Sequence, residues 1–151
     1  MSKRHQRFKI EVLSHRGRID ARWVIPLCKK ILASELRAPV RVNVVATDNK
    51  YIRQLNRDYR GRNRATDVLA FNLCDEDDSE EQPLLGEIYI SCEKARQQAE
   101  AYHHCFREEV RRLVAHGLLH LLGYDHEDDK SRKRMQEKEE VYLTGRKVIT
   151  A

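Results

Sequence analysis

The sequence has few of the features that mark several large protein classes. Its 151 residues include six Gly and three Pro, which excludes a collagen-like, Pro/Gly-rich or low-complexity chain. No apolar run reaches the roughly 18 residues that a membrane-spanning helix needs. The N-terminal stretch MSKRHQRFKIEVLSHRGRID is basic and lacks the apolar core of a secretory signal. Four cysteines, Cys28, Cys74, Cys92 and Cys105, form no C-x-x-C pair. Neither a disulfide framework nor a thiolate zinc knuckle is therefore expected, and the thiols read as buried or incidental. Internal repeats and domain linkers are missing. The expectation is one soluble, cytoplasmic domain over 1–151 with no membrane contact, long enough to build a hydrophobic core of its own.

What the chain does have is charge, unevenly placed. Residues 1–70 carry 17 Lys/Arg against 6 Asp/Glu, whereas residues 71–151 carry 12 against 18. A basic half suits a polyanion, because each phosphate neutralised by Lys or Arg releases counterions. Solvated surface charge is the plainer reading of the same numbers.

Apolar periodicity divides the chain into short elements. Residues 7–13 alternate as a strand, 20–36 suit a helix capped by Asp20, and 40–46 are β-branched. Pro26 inside the first helix predicts a later start or a kink. Asp48 opens a short helix to about Tyr59, followed by a basic loop over 59–66. Strands are expected at 67–73 and 84–91, joined by the acidic run DEDDSEEQP at 75–83. Ser91 caps a helix reaching Tyr102 or His104, and helices follow at 106–122 and 128–143. The pattern predicts an α+β fold, a small mixed four-stranded sheet packed with about five helices.

The segment REEVRRLVAHGLLHLLGYDHEDD at 107–129 carries the chemistry. On a helix, Val110, Val114, Gly117, Leu118 and Leu121 share a face, with Leu113 at its edge. His116 and His120, four apart, stack on one flank beside Leu113. A continuing helix would carry His126 away from them, but Gly123 can take a left-handed conformation and turn the chain back. Three neutral nitrogen ligands would leave one tetrahedral position open, as in catalytic zinc sites. His103 and His104 point about 100° apart and read as surface or packing residues. Residue 117 is Gly where H-E-x-x-H peptidases carry their general base, which argues against peptide hydrolysis.

HGLLHLLGYDH at 116–126 resembles the signature of the YbeY family of endoribonucleases, H-G-x-L-H-L-x-G-Y-D-H. LNRDYRGRNRATDVLAFN at 55–72 is similar to the family's N-x-x-Y-R-x-x-x-x-x-T-D-V-L-S-F-P block, and LLGEIYIS at 84–91, followed by Ala95, Gln98 and Ala99, to its L-G-D-I block and helix. Ala70, Asn72 and Glu87 depart from that pattern, standing where Ser, Pro and Asp are frequent. The resemblance implies a single zinc ion on His116, His120 and His126 at the end of a central helix. It implies a single-strand endoribonuclease that matures the 3′ end of 16S ribosomal RNA and serves ribosome quality control. Its implied partners are ribosomal RNA, the small ribosomal subunit and an assembly GTPase. The arginine of the Y-R block falls on Arg60.

The residues themselves fit that expectation. Lys50, Arg53, Arg57, Arg60, Arg62 and Arg64 lie within fifteen positions, opposed only by Asp58, and arginines grip phosphate bidentately. Arg60 is the candidate to stabilise charge developing on phosphorus, with Arg53, Arg57, Arg62 and Arg64 as RNA contacts. Asp125, beside a ligand, either orients an imidazole through its second nitrogen or closes the turn. Tyr59 and Tyr124 either stack on unpaired bases or pack. Two other readings share the histidines: a zinc hydrolase of another class, and a non-catalytic ribosome-assembly factor with structural zinc.

Overall fold

A computed structural model of the chain describes residues 8–73 and 82–145. The acidic run at 75–81, together with Cys74 and His5, lies outside the described residues. The elements follow the order β1 (Phe8–Ser14), α1 (Ala21–Glu35), β2 (Val40–Thr47), α2 (Asn49–Arg60), β3 (Val68–Asn72), β4 (Leu84–Ser91), α3 (Cys92–Ala101), α4 (Phe106–Leu121) and α5 (Asp129–Thr144). Among the described residues this is the α+β fold with a mixed four-stranded sheet and five helices that the patterning predicts.

Local chemistry sets most boundaries. The carboxylates of Asp20 and Asp48 accept from the backbone N–H of Arg22 and Tyr51, and the Ser91 hydroxyl accepts from that of Lys94. Each satisfies a donor that a helix start leaves orphaned. Because Asp20 caps it, α1 begins at Ala21 and takes Pro26 into its second turn rather than starting after it. Its buried residues, Val24, Leu27, Cys28, Ile31 and Leu32, follow helical spacing. The helix expected to end near Tyr59 includes Arg60 and stops at Gly61, whose φ of 68° is left-handed. Arg60 therefore belongs to a rigid last turn and not to the basic loop.

The strands run in the order β1-β2-β4-β3. β1 and β2 are parallel, with Phe8 opposite Val40, and β2 is parallel to β4, with Val44 opposite Ile88. β3 lies antiparallel on β4 at the sheet edge, with Val68 opposite Ile90 and Asn72 opposite Gly86. Alternation then separates two faces. Val42, Val44, Ala46, Ile88 and Ile90 are buried toward one, where α1 and α4 pack. Each such Ile or Val contributes about 1.5–3 kcal/mol by leaving water. Phe71, Glu87 and Tyr89 belong to the other face, to which α2 brings Tyr51 and Tyr59.

α4 is central and more enclosed than one apolar stripe suggests. Ala115 and Leu119 are buried as well as Val110, Leu113, Val114, Leu118 and Leu121, because α1, α3 and α5 pack around it as well as the sheet. Gly117 permits that approach: a Cβ there would meet Ile88 Cγ2 at 2.8 Å and Val68 Cγ2 at 3.3 Å. Its lack of a side chain is a packing requirement. Cys28 and Cys92 are buried and Cys105 is exposed; burial pushes the Cys28 thiol up to about 12, which makes it inert. No described helix is long and apolar enough to cross a membrane.

Candidate metal centre and its cavity

The C-terminal end of α4 opens on a cavity of about 240 Å³ lined by His116, His120, His126, Arg60, Arg62 and Arg64, with Asn56, Thr66, Asp67 and Gly117 among its other walls. His116 and His120 reach it from successive turns of α4. His126 reaches it because Gly123, at φ 100°, reverses the chain. The backbone N–H of Gly123 donates to the His120 carbonyl and that of Tyr124 to the Leu119 carbonyl. The rings of His116 and His126 end 5.6 Å apart between centroids.

Nδ1 of His116 lies 2.6 Å from Oε1 of Glu139 on α5. The carboxylate accepts the Nδ1 proton, which leaves the lone pair of Nε2 as the donor of that ring. Burial holds His120 below the ordinary histidine value, and the Arg60 guanidinium, His116 and His126 act in the same direction against Asp125. This favours the neutral form of His120, the form that can ligate a metal. No three His, Cys, Asp or Glu side chains among the described residues are gathered as a formed coordination sphere. The fold supplies three imidazoles on a common wall, a donor set suited to zinc rather than to magnesium or calcium, which prefer oxygen.

The arginines arrive by two routes. Arg60 donates from Nη2 to the Ala70 carbonyl at 2.8 Å and lays its Cζ 5.4 Å from the centre of the Phe71 ring. The rest of its fork remains for the cavity. Arg62 and Arg64 belong to a loop folded back on α2: the Arg62 N–H donates to the Asn56 carbonyl, and the buried Asn56 donates from Nδ2 to the Arg64 carbonyl at 2.9 Å. Arg53 bonds Asn63 and Arg57 pairs with Asp58 at 3.2 Å. Neither lines the cavity.

Behind the wall is a polar network. Asp67 accepts from the backbone N–H of Val68 and from Gln98, and Gln98 also donates to the fully buried Glu109. His104 lies 2.6 Å from Glu109, and Arg112 pairs with it as well. His104 is thus a packing residue. Asp125 accepts from the Glu127 N–H at 3.4 Å, a turn contact, while the carboxylate bonded to one of the three cavity imidazoles is Glu139, on His116. Neither Glu139 nor Asp67 stands out in the sequence. Glu139 is one of many acids in a charged helix, and only the packing of α5 on α4 brings it to His116.

The family model for endoribonuclease YbeY matches residues 9–147. The chain belongs to the endoribonuclease YbeY family. An endoribonuclease YbeY of Thermoanaerobacter sp. strain X514 is 42% identical over 146 residues, covering 86% of this chain and 92% of the relative. One from Carboxydothermus hydrogenoformans is 48% identical over 114 residues, 76% of this chain and 77% of its own. A solution structure from Thermotoga maritima, 34% identical, superposes with a TM-score of 0.61 over 89% of this chain and 86% of that one. Within this YbeY-family chain, two departures from the signature pattern have structural roles. Asn72 donates from Nδ2 to the Leu121 carbonyl at 2.9 Å, tying β3 to the end of α4. Glu87 accepts from Asn43 and from the Tyr89 hydroxyl.

Proposed function

We propose that the histidine cavity is the active site of a zinc-dependent, single-strand-specific endoribonuclease that processes ribosomal RNA at the 3′ end of 16S and serves ribosome quality control. Residues 1–151 act as one domain, in the cytoplasm, on the small ribosomal subunit, with an assembly GTPase as partner. The observation that carries the reading is the meeting of three imidazoles and three arginines in one cavity, within a chain of the endoribonuclease YbeY family.

His116, His120 and His126 would hold one zinc ion, which supplies Lewis-acid chemistry at the scissile phosphate. Glu139 keeps the Nδ1 proton of His116 and so aims its other nitrogen into the cavity. Arg60, fixed by the Ala70 carbonyl and the Phe71 ring, places donors where negative charge grows on the phosphate oxygens. Arg62 and Arg64 hold flanking phosphates. A flexible single strand can bend its backbone into this recess, whereas a stiff duplex is held off by its own width. Gly117 contributes no base and has no room for one.

The test is cleavage of a labelled single-stranded ribosomal RNA fragment by zinc-loaded protein, beside His116→Ala and His120→Ala checked for folding and metal content. The expected result is cutting by the intact protein and RNA binding without cutting by both variants. If all three bind alike and none cuts, even on whole small subunits, the metal is structural and the protein is a non-catalytic assembly factor.

A further inference from the structure

Arg60 stands between two cavities. Beyond the histidine cavity lies a second one of about 450 Å³, lined by Tyr59, Phe71, Glu87 and Tyr89 and sharing Arg60, Ala70 and His120 with the first. It lies beside α2 on the sheet face of Phe71, Glu87 and Tyr89 and extends past the edge strand β3 to His120 of α4. Its lining is unusual for a solvent-facing surface. Tyr59 is 72% exposed, its ring meets Phe71 edge-on at 5.6 Å, and Phe71 meets Tyr89 edge-on at 5.9 Å. A ring standing in water beside an arginine plane and a second aromatic is what unpaired bases stack on.

The floor adds a polar reader. Glu87 Oε1 accepts from the Tyr89 hydroxyl at 3.1 Å and Oε2 from Asn43 Nδ2 at 3.1 Å. These two bonds hold the carboxylate in place and occupy one lone-pair direction on each oxygen, leaving a second on each. Two acceptors side by side match two donors side by side. Among the four bases only guanine presents that pair on its Watson–Crick edge, N1–H beside the N2 amino group. Adenine and cytosine place a ring acceptor next to their amino group, opposite a carboxylate oxygen. Uracil flanks its single N3–H with two carbonyls.

We propose that this cavity takes a guanine base of the RNA strand, adjacent to the nucleotide whose phosphate lies at Arg60. The base stacks on the exposed Tyr59 ring beside Phe71 and donates its Watson–Crick edge to Glu87. This rests on the proposed reading of the histidine cavity as the place of cleavage, and it gives the enzyme a sequence preference that its phosphate-holding arginines do not supply. The size of the cavity is within the range of pockets that bind small ligands.

The experiment measures binding of fluorescein-labelled uridine octamers carrying one central G, A or C to the metal-free, full-length protein. The G strand should bind about tenfold tighter than the A strand, as a bidentate base contact discriminates. Glu87→Gln should bring the G strand down to the level of the A strand, since an amide offers one acceptor and one donor. Tyr59→Ala, at an exposed position that the core does not depend on, should weaken G and A strands alike, and thermal melts confirm that both variants fold. Equal binding of G and A by the intact protein, or a G preference that survives Glu87→Gln, overturns the proposal. A G preference without cleavage by zinc-loaded protein keeps the base site and removes the nuclease reading. Cleavage without a G preference does the reverse.

Discussion

Oε1 of Glu139 lies 2.6 Å from Nδ1 of His116, across 23 residues of sequence and from a different helix. The contact makes α5 part of the candidate metal centre as well as a cover for the core, into which it buries Met135 and Tyr142. It orients one ring and selects its tautomer before any metal arrives.

Removing that carboxylate tests its role directly. Glu139→Ala should weaken zinc binding by about 10- to 100-fold, measured by competition with a chromogenic chelator. Glu139→Gln, which keeps an acceptor, should lose less. Unchanged zinc affinity in both would make the contact a packing detail.

Arg60 is expected to act on the reaction and not on the metal. Arg60→Ala should lower cleavage by about 10²- to 10³-fold, the range for deleting one oxyanion donor, while zinc content stays at the wild-type level. Parallel loss of zinc would show that the arginine instead holds β3 against α2 through Ala70 and Phe71.

Arg62 and Arg64 should contribute chiefly to RNA affinity. Replacing both by Ala removes two phosphate contacts, so the slope of log affinity against log salt should fall by about 1.4 for a single strand. A slope equal to that of the intact protein would take these two side chains off the RNA path.

Gly117→Ala tests the close seat of α4 on the sheet. Alanine is the better helix former by about 1 kcal/mol, yet its Cβ would press on the buried Ile88 at 2.8 Å. Overpacking of this kind costs about 1–3 kcal/mol, and urea unfolding should show a net loss. A gain would mean that β4 can move away freely.

Glu109 gives a pH dependence with a definite sign. Burial acts to raise its pKa, but hydrogen bonds from Arg112, His104 and Gln98, with the charge of Arg112, outweigh it and leave the carboxyl below its usual 4.5. A depressed pKa means that the folded state favours the carboxylate. Its contribution is therefore complete above the ordinary carboxylate range and is lost as pH falls through 4.5 toward the folded value. Glu109→Ala should cost about 3 kcal/mol at pH 7, the low end for a broken buried pair because Arg112 keeps partial access to water. The gap between variant and wild type should narrow on acidification. A gap independent of pH would show that Glu109 acts by packing alone.

Much of this architecture is written locally. Asp20, Asp48 and Ser91 cap helices that begin at the next residue, and Gly61 and Gly123 turn the chain where left-handed backbone is needed. The spacing of His116, His120 and His126 around Gly123 identifies the candidate metal centre because helical geometry and a glycine turn act over only a few residues. Arg60 is harder to read. The basic run over 50–64 marks a candidate phosphate-binding region, but only the fold separates Arg60, Arg62 and Arg64, which line the cavity, from Arg53 and Arg57, which bond elsewhere.

Sequence by itself determined the elements, their caps and the histidine triad, all of which depend on interactions within about one or two helical turns. Tertiary structure decided the rest. The strand order β1-β2-β4-β3, the carboxylate of Glu139 behind His116, and the bond from Asn43 of β2 to Glu87 of β4 each join residues from separate elements. Such contacts carry no period along the chain. They exist only where burial of the apolar faces of α4 and the sheet has already fixed which elements lie side by side, and polar groups brought together there must then find partners in one another.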